Sequence, residues 1–214
     1  SSIDYYGEWK GLHYEAKRAF APIILAPDTA HSQLAIAYDP QPRKRTVHLT
    51  AEVRDFSGRL LRRHTFAPKT LPAHEVGRVE VALPLSKLFV SEAERMGAYV
   101  HYELRDARTK VLLTELTDYA VRTKELRLSQ PKAGDYTIQV SERTGTLFID
   151  IESKTLLKDA YIDLGETGWQ LSDNFFDILP QRRYRLRATR RQNAPARTTK
   201  ALPTVSLRSI TTQE

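Results

Sequence analysis

Short segments in which apolar and polar residues alternate are the feature that most constrains the fold of this chain. In the clearest of them, residues 46–54, every second residue is apolar. A period of two places those side chains on one face of a β-strand that is buried on that face only. Six more segments between residues 23 and 119 have strand character: 23–26, 33–38, 59–66, 78–83, 98–105 and 110–119. The pattern predicts a β-sandwich.

Turn sequences join these segments. Residues 55–58 and 106–109 are short and carry aspartate at their first position, so they predict antiparallel hairpins. Seven short strands with such turns fit a sandwich of immunoglobulin-like size. Residues 85–96 interrupt the pattern, and their serine and glutamates suit a helical turn or a crossover between sheets.

A second set of alternating segments follows residue 132 and predicts a second sandwich. Its candidate strands are 136–141, 146–152, 158–164, 183–191 and 204–210, and residues 125–129 could form its first strand. The predicted fold class is therefore all-β, with two immunoglobulin-like β-sandwich domains preceded by a short N-terminal helix. The predicted limits are 1–21 for the helix, 22–124 for the middle domain and 125–214 for the C-terminal domain.

The N-terminal helix is predicted from apolar residues at helical spacing between Tyr5 and the proline at position 22. This apolar stripe consists of Trp9, Leu12, Ala16 and Phe20. Two interpretations stay open: the stripe packs on an upstream domain, or it caps the first sandwich. Because the sequence starts almost within the helical pattern and without an initiator methionine, we expect it to be part of a longer polypeptide.

Residues 168–180 combine aromatic side chains with a polar turn, which is typical of a corner that holds a sandwich together. If the segment is extended, its two adjacent phenylalanines point to opposite sides. We expect one in the core and the other under the turn or at a domain interface. The predicted structural residues are Trp169, Asp173, Asn174, Phe175 and Phe176.

The net charge of +7 raises the question of a nucleic-acid partner. The arginines at 183, 185 and 187 alternate with Tyr184 and Leu186, however, which is the pattern of a half-buried strand. A solvated strand face therefore explains this basic cluster, and the sequence has neither a recognition motif nor a stacking platform for bases. We predict no nucleic-acid partner.

The chain has no cysteine, which excludes disulfides, thiolate metal sites and cysteine nucleophiles. No apolar run approaches the roughly 20 residues that cross a bilayer, so no membrane span is predicted. The compartment stays undecided.

No motif supports catalysis or a cofactor. The sequence has no nucleophile elbow, phosphate loop or dinucleotide fingerprint, and its acidic residues are scattered over turns. The histidines show no metal-ligand spacing with an acidic partner, so no metal site is predicted. They are His13, His31, His48, His64, His74 and His101.

Sugar binding is a further possibility, because a pyranose ring can stack on exposed aromatic side chains of a sandwich. The two tryptophans, Trp9 and Trp169, both have core explanations. Four tyrosines lie mostly on predicted strands, where tyrosine is enriched: Tyr99, Tyr102, Tyr136 and Tyr161.

Two stretches together resemble the β-mannosidases of glycoside hydrolase family 2. Residues 9–22 resemble the family run W-K-A-L-H-Y-x-x-K-R-x-F-A-P, which ends the catalytic barrel. Residues 171–180 resemble the run L-S-D-N-F-F-D-L-L-P-G-E of the C-terminal immunoglobulin-like domain, although Gln181 and Arg182 replace its glycine and glutamate. Their order and separation also fit, so the resemblance covers the whole chain as a barrel-exit helix and two sandwiches.

The resemblance implies a parent enzyme that hydrolyses terminal β-D-mannosides with retention. In that family both catalytic glutamates lie on the barrel, so no residue of this sequence inherits a catalytic role. The implied partners are the catalytic barrel and N-terminal domains of the same polypeptide, and the glycan through that parent. The stripe residues Trp9, Leu12, Ala16 and Phe20 would dock on the barrel. An autonomous glycan-binding module and a protein-interaction sandwich remain alternatives.

Overall fold

A computed structural model describes residues 2–5, 7–28, 32–83, 85–191 and 201–212 of the 214-residue chain. They belong to two compact units, Arg18–Arg127 and the combination of Ser1–Lys17 with Leu128–Glu214. The predicted domain limits remain predictions. A helix, α1 (Gly11–Ala19), precedes the strands. Within the described ranges, every helix is too short or too polar to span a bilayer.

The unit Arg18–Arg127 is a sandwich of two antiparallel sheets. One sheet has the strand order β1-β2-β6, and the other has the order β4-β3-β7-β8 with β5 paired to β3. The strands are β1 (Ile23–Asp28), β2 (Gln33–Tyr38), β3 (Arg45–Asp55), β4 (Leu60–Thr65), β5 (Lys69–Leu71), β6 (Gly77–Ala82), β7 (Ala98–Asp106) and β8 (Leu112–Asp118). All the predicted strands of this unit are present, and β5 was not predicted.

The alternation in β3 places one face of the sheet in the core. Val47, Leu49 and Val53 are fully buried there against residues of the facing sheet such as Leu34 and Ile36. His48, Thr50 and Glu52 point away from the core and are only partly buried. Burial of one face and not the other fixes the register of the strand, because a slip of one residue would exchange the two faces.

Aspartate side chains close both predicted hairpins. Asp55 Oδ1 accepts hydrogen bonds from the backbone N–H groups of Ser57 and Arg59, each at 3.0 Å. Asp106 Oδ1 accepts from the N–H of Thr109 at 2.8 Å. These bonds satisfy backbone donors that the ladder does not reach. Residues 85–96 form two short helices, α2 (Leu85–Leu88) and α3 (Glu92–Gly97).

The second unit is also a sandwich of antiparallel sheets, with strand orders β12-β14-β10-β9 and β13-β11-β15. Its strands are β9 (Tyr136–Arg143), β10 (Thr146–Ser153), β11 (Leu157–Asp163), β12 (Trp169–Leu171), β13 (Phe176–Ile178), β14 (Arg183–Arg190) and β15 (Ser206–Arg208). The two sandwiches confirm the predicted fold class. The strand proposed at residues 125–129 was wrong: a 3-10 helix spans Thr123–Glu125, and residues 126–129 form no strand.

Arg183, Arg185 and Arg187 of β14 lie on an exposed face, whereas Leu186 and Ala188 on the other face are buried. Arg185 pairs with the Asp150 carboxylate of β10 through Nε at 2.8 Å and Nη2 at 3.0 Å. These hydrogen bonds lower the pKa of Asp150 below its ordinary value. The basic run is therefore a solvent-facing strand with a local counter-ion.

Candidate functional site

The N-terminal segment folds onto the C-terminal sandwich. Residues 2–5 and 7–10 form a tight loop, in which Ile3 and Trp9 make an antiparallel bridge and Gly7 adopts a positive φ of 81°. Asp4 Oδ1 accepts the N–H of Glu8 at 2.8 Å inside this loop. The prediction of a helical pattern from Tyr5 onward was therefore wrong, because the loop replaces the first helical turns and α1 begins at Gly11.

Tyr14 of α1 is the residue that joins the helix to the sandwich. It is 4% exposed and belongs to the core cluster of the C-terminal sandwich. Its ring centroid lies 5.4 Å from that of Trp9 and 6.0 Å from that of Phe175. Burial raises the pKa of the Tyr14 phenol to about 12, and the Asp173 carboxylate adds to this rise. The helix thus packs on the C-terminal sandwich through Tyr14.

Trp169 anchors the aromatic corner. Its ring is buried in the core of the C-terminal sandwich, on β12. The indole Nε1 donates to Glu166 Oε2 at 3.3 Å, and the Arg190 guanidinium carbon lies 5.1 Å from the ring centroid. The indole therefore combines apolar burial with a satisfied polar end, as buried tryptophans usually do.

Asn174 connects the corner to strand β11. Its side chain is buried, and the amide meets both backbone groups of Ile162: Oδ1 accepts the N–H at 2.8 Å and Nδ2 donates to the carbonyl at 2.9 Å. Asp173 Oδ1 accepts the N–H of Asn174 at 2.8 Å. The Asn174 amide thus takes the place of a neighbouring strand at this point of β11.

The two adjacent phenylalanines point in different directions, and neither is fully buried. Phe175 has a positive φ of 56° and packs its ring near Gly11 and against Tyr161, at a centroid distance of 4.9 Å. Phe176 packs against Tyr184 at 5.4 Å. A Cβ at Gly11 would approach the Phe175 ring to 3.3 Å, so the small residue at this position permits close packing of α1.

The predicted stripe divides between a buried and an exposed environment. Trp9 packs against the core of the C-terminal sandwich and Ala16 is half-buried. By contrast, Leu12 is 63% exposed and Phe20 is 86% exposed. Tyr5, in the N-terminal loop, is 95% exposed. Large apolar side chains at these positions face solvent in the chain as it stands.

A cleft of about 720 Å³ lies where the N-terminal loop meets the C-terminal sandwich. Aromatic side chains form much of its lining: Trp9, Tyr14, Tyr161, Trp169 and Phe175. Four carboxylates also line it: Asp4, Glu8, Asp163 and Glu166.

Glu8 holds one side of this cleft in place. Its Oε2 accepts a charged hydrogen bond from Arg191 Nη2 at 2.7 Å, and its Oε1 accepts the N–H of Gly168 at 3.3 Å. Burial and the neighbouring Asp163 carboxylate raise the pKa of the Tyr161 hydroxyl above its ordinary value. Carboxylate acceptors beside aromatic faces suit a polyhydroxylated or cationic ligand.

A group of possible metal ligands lies outside this cleft. The structure brings together His101, Glu103 and Glu115 in the sandwich of residues 18–127. The prediction of no metal site considered spacing along the chain and did not include this group. The spacing of two between His101 and Glu103 on one strand was visible in the sequence, whereas the partner on β8 depends on the strand register. His31 lies outside the described residues.

Tyr14 and Glu8 hold the N-terminal segment on the sandwich, and neither is among the residues predicted from the sequence. Neither lies on the predicted apolar stripe, and their partners Phe175 and Arg191 are more than 150 residues away in the sequence. Tyr14 does lie within the W-K-G-L-H-Y run of residues 9–14, which was the signal that could have identified it.

Comparison with solved structures shows the same fold in two glycosidases. A β-D-mannosidase from Dictyoglomus thermophilum superposes on 98% of this chain with a TM-score of 0.66 and 19% sequence identity. An exo-chitosanase from Amycolatopsis orientalis superposes on 88% of it with a TM-score of 0.61 and 13% identity. This chain covers 24% of the length of the first and 26% of the second. At these identities the likeness shows the fold alone.

Comparison by sequence identifies the C-terminal sandwich. No curated protein matches this chain. The family model Ig_mannosidase, an Ig-fold domain, matches residues 128–212. That range contains the corner at 171–180 on which the resemblance to β-mannosidases was based. Residues 128–212 therefore correspond to an Ig-fold domain of the mannosidase type, which agrees with the resemblance that the sequence shows in its C-terminal domain.

Proposed function

We propose that this chain is the non-catalytic C-terminal region of a β-mannosidase-like glycoside hydrolase, which acts on terminal β-D-mannosides with retention. The observation that carries the proposal is the mannosidase-type domain at residues 128–212, which follows a further sandwich in a chain whose fold resembles part of the Dictyoglomus thermophilum enzyme. That enzyme is about four times as long as this chain. The sandwiches stabilise or shape the catalytic barrel and carry no catalytic residue.

The surface that docks on the barrel is the outward face of the N-terminal segment. Tyr14 lies on the face of α1 that contacts the sandwich. Leu12 is two residues earlier, so its side chain is rotated by about 200° around the helix axis from that of Tyr14. Leu12 and Ala16 therefore share the outer face, while Tyr5 and Phe20 add exposed aromatic area. Burial of Leu12 alone would contribute about 1.5–3 kcal/mol to association.

The proposal predicts that Leu12→Asp weakens binding of this chain to the separately expressed barrel of the parent enzyme by about 10-fold or more, because a charge replaces a buried leucine side chain. Binding is measured by calorimetric titration, and the unfolding of the variant alone should be unchanged because Leu12 is exposed. Val76→Asp is the matched control, since Val76 is similarly exposed in the unit Arg18–Arg127.

Equal affinity of the Leu12→Asp variant and the unchanged chain would contradict docking through α1. Hydrolysis of an aryl β-mannoside by this chain alone would contradict its lack of catalytic residues. The two results are independent, because the first tests the surface and the second tests the assignment of chemistry to the barrel.

The lining of the cleft favours a second candidate, an autonomous carbohydrate-binding module. Trp9 is half-buried there and could stack on a sugar ring, whereas Trp169 is buried. If the cleft binds manno-oligosaccharides, their addition shifts the tryptophan emission, and Trp9→Phe removes most of the shift. Unchanged tryptophan emission at millimolar oligosaccharide would contradict an autonomous carbohydrate-binding function. It would not affect the proposal that α1 docks on the barrel.

A further inference from the structure

The group of His101, Glu103 and Glu115 lies on the face of strands β7 and β8 that is turned away from the core. His101 and Glu103 are two residues apart on β7, so they share this face. In the register of the two strands, Glu115 is directly opposite Glu103 and Thr117 is directly opposite His101. The His101 side chain is only 8% exposed, while both carboxylates are more open to solvent.

The distances within the group fit a bound metal ion. His101 Nε2 lies 3.3 Å from Glu115 Oε2 and 3.8 Å from Glu103 Oε1. Zinc holds nitrogen and carboxylate ligands at about 2.0–2.2 Å, so tetrahedral geometry places two ligand atoms about 3.3–3.6 Å apart. All three ligand atoms lie within 4.8 Å of one another. Small rotations of the two glutamate side chains would bring the atoms to coordinating distance.

Two neighbouring residues orient the ligands. Thr117 Oγ1 lies 3.1 Å from His101 Nδ1, and a proton on Nδ1 donated to this oxygen leaves the Nε2 lone pair directed at the carboxylates. Arg105 binds the other side of Glu103, with Nε and Nη2 each 2.9 Å from Oε2. Oε1 of Glu103 therefore faces the imidazole. Such outer-shell partners are typical of metal-binding histidines and carboxylates.

The electrostatics of the strand pair also favour a cation. Like charges directly opposite each other in an antiparallel pair are destabilising, and Glu103 and Glu115 occupy such positions. Arg105 pairs with one of these carboxylates. A divalent cation between the two would reduce the repulsion and use the imidazole as a neutral ligand.

We propose that His101, Glu103 and Glu115 bind a divalent transition-metal ion of the zinc class, with water completing the coordination. Imidazole favours zinc and its neighbours, whereas magnesium prefers oxygen ligands in an octahedron. The site stands on strands of the sandwich of residues 18–127 and contributes stability to that sandwich when the ion is bound. It is independent of the proposed parent enzyme.

The test uses the full 214-residue chain after treatment with a chelator. Calorimetric titration with zinc should give one ion per chain, with affinity at least 100-fold higher than for magnesium, and the thermal midpoint should rise with zinc concentration. Glu115→Gln, which keeps the shape of a partly exposed side chain, should weaken zinc binding at least 10-fold, and His101→Gln should abolish it. His48→Gln on β3 of the same sheet is the matched control and should bind zinc normally.

A protonated His101 acting only as a counter-ion to the two glutamates would give different results. In that case zinc would neither bind at a ratio of one nor raise the thermal midpoint, and the proposal would be overturned. Unchanged zinc affinity in the Glu115→Gln variant would overturn it equally, since that variant tests the ligand set without disturbing the buried imidazole.

Discussion

Replacing Asn174 with alanine is expected to lower the free energy of unfolding of the C-terminal sandwich by about 2–6 kcal/mol. The substitution leaves both the N–H and the carbonyl of Ile162 without their partner in a buried position. Each such unsatisfied group costs about 1–3 kcal/mol. Both tryptophans of the chain belong to the unit that contains this sandwich, so denaturant unfolding followed by tryptophan fluorescence measures the relevant transition.

The matched control is Gln139→Ala, because Gln139 is an exposed amide on β9 of the same sandwich. Its removal should change the free energy of unfolding by no more than about 0.5 kcal/mol. A loss below 1 kcal/mol for Asn174→Ala would mean that water replaces the amide at β11, and the description of Asn174 as a substitute for a strand partner would be wrong.

The sequence was sufficient to predict that residues 168–180 form a structural corner, but not what the corner holds. Serine, aspartate and asparagine indicate a turn from their local chemistry. The partner of Asn174 is Ile162, twelve residues earlier, and that contact depends on how β11 packs in the sandwich. Local rules specify a turn, whereas its long-range contacts follow from tertiary structure.

Strand prediction succeeded where burial is one-sided and failed where a partner strand was missing. The alternation in β3 and β14 follows directly from one buried face. Residues 126 and 128 also alternate in exposure with their neighbours. They form no strand: a turn in which Glu125 Oε2 accepts the N–H of Arg122 at 3.0 Å precedes them, and Arg127 donates its N–H to the Met96 carbonyl at 2.8 Å without a ladder. Alternation indicates which side chains share a face, but it does not supply a hydrogen-bonding neighbour.

The group of His101, Glu103 and Glu115 likewise depends on a contact between strands that the sequence alone does not give. A spacing of two on β7 is visible in the sequence, but Glu115 joins the group only because β7 and β8 pair with Glu103 opposite Glu115. A single shift of register would place Glu115 on the opposite face. Metal-ligand spacing rules that count along the chain do not detect such a site.

The apolar stripe of α1 was identified correctly in its helical part, but the sequence did not indicate which face is buried. The two open interpretations concerned the whole stripe of Trp9, Leu12, Ala16 and Phe20. The structure instead buries Tyr14, which lies on the side of α1 opposite Leu12. The helix therefore has one face occupied by the C-terminal sandwich and another that remains exposed. This arrangement explains how α1 can be held by its own chain and still present Leu12 to a further domain.

Tyr14→Ala should lower the free energy of unfolding of the C-terminal sandwich by about 3–5 kcal/mol, the usual cost of deleting a buried aromatic side chain. The substitution removes the ring that packs between Trp9 and Phe175 and leaves a cavity beneath α1. Denaturant unfolding followed by tryptophan fluorescence measures the loss. Leu12→Ala, on the exposed face of the same helix, should change the free energy by no more than about 0.5 kcal/mol.

The variant Tyr14→Phe keeps the ring and removes the hydroxyl, so it tests how the free energy of unfolding depends on pH through this hydroxyl. Burial raises the folded-state pKa of Tyr14 from 10.0 to about 12, so between these values the unfolded chain has lost a proton that the folded chain retains. The contribution of the protonated Tyr14 hydroxyl to the free energy of unfolding is therefore complete below pH 10 and is lost as the pH rises through 12. The phenylalanine variant should therefore lose less stability than the unchanged chain between pH 10 and 12. Equal alkaline losses in the two proteins would show that the hydroxyl is not buried, and a small effect of Tyr14→Ala would show that α1 is not held by this ring.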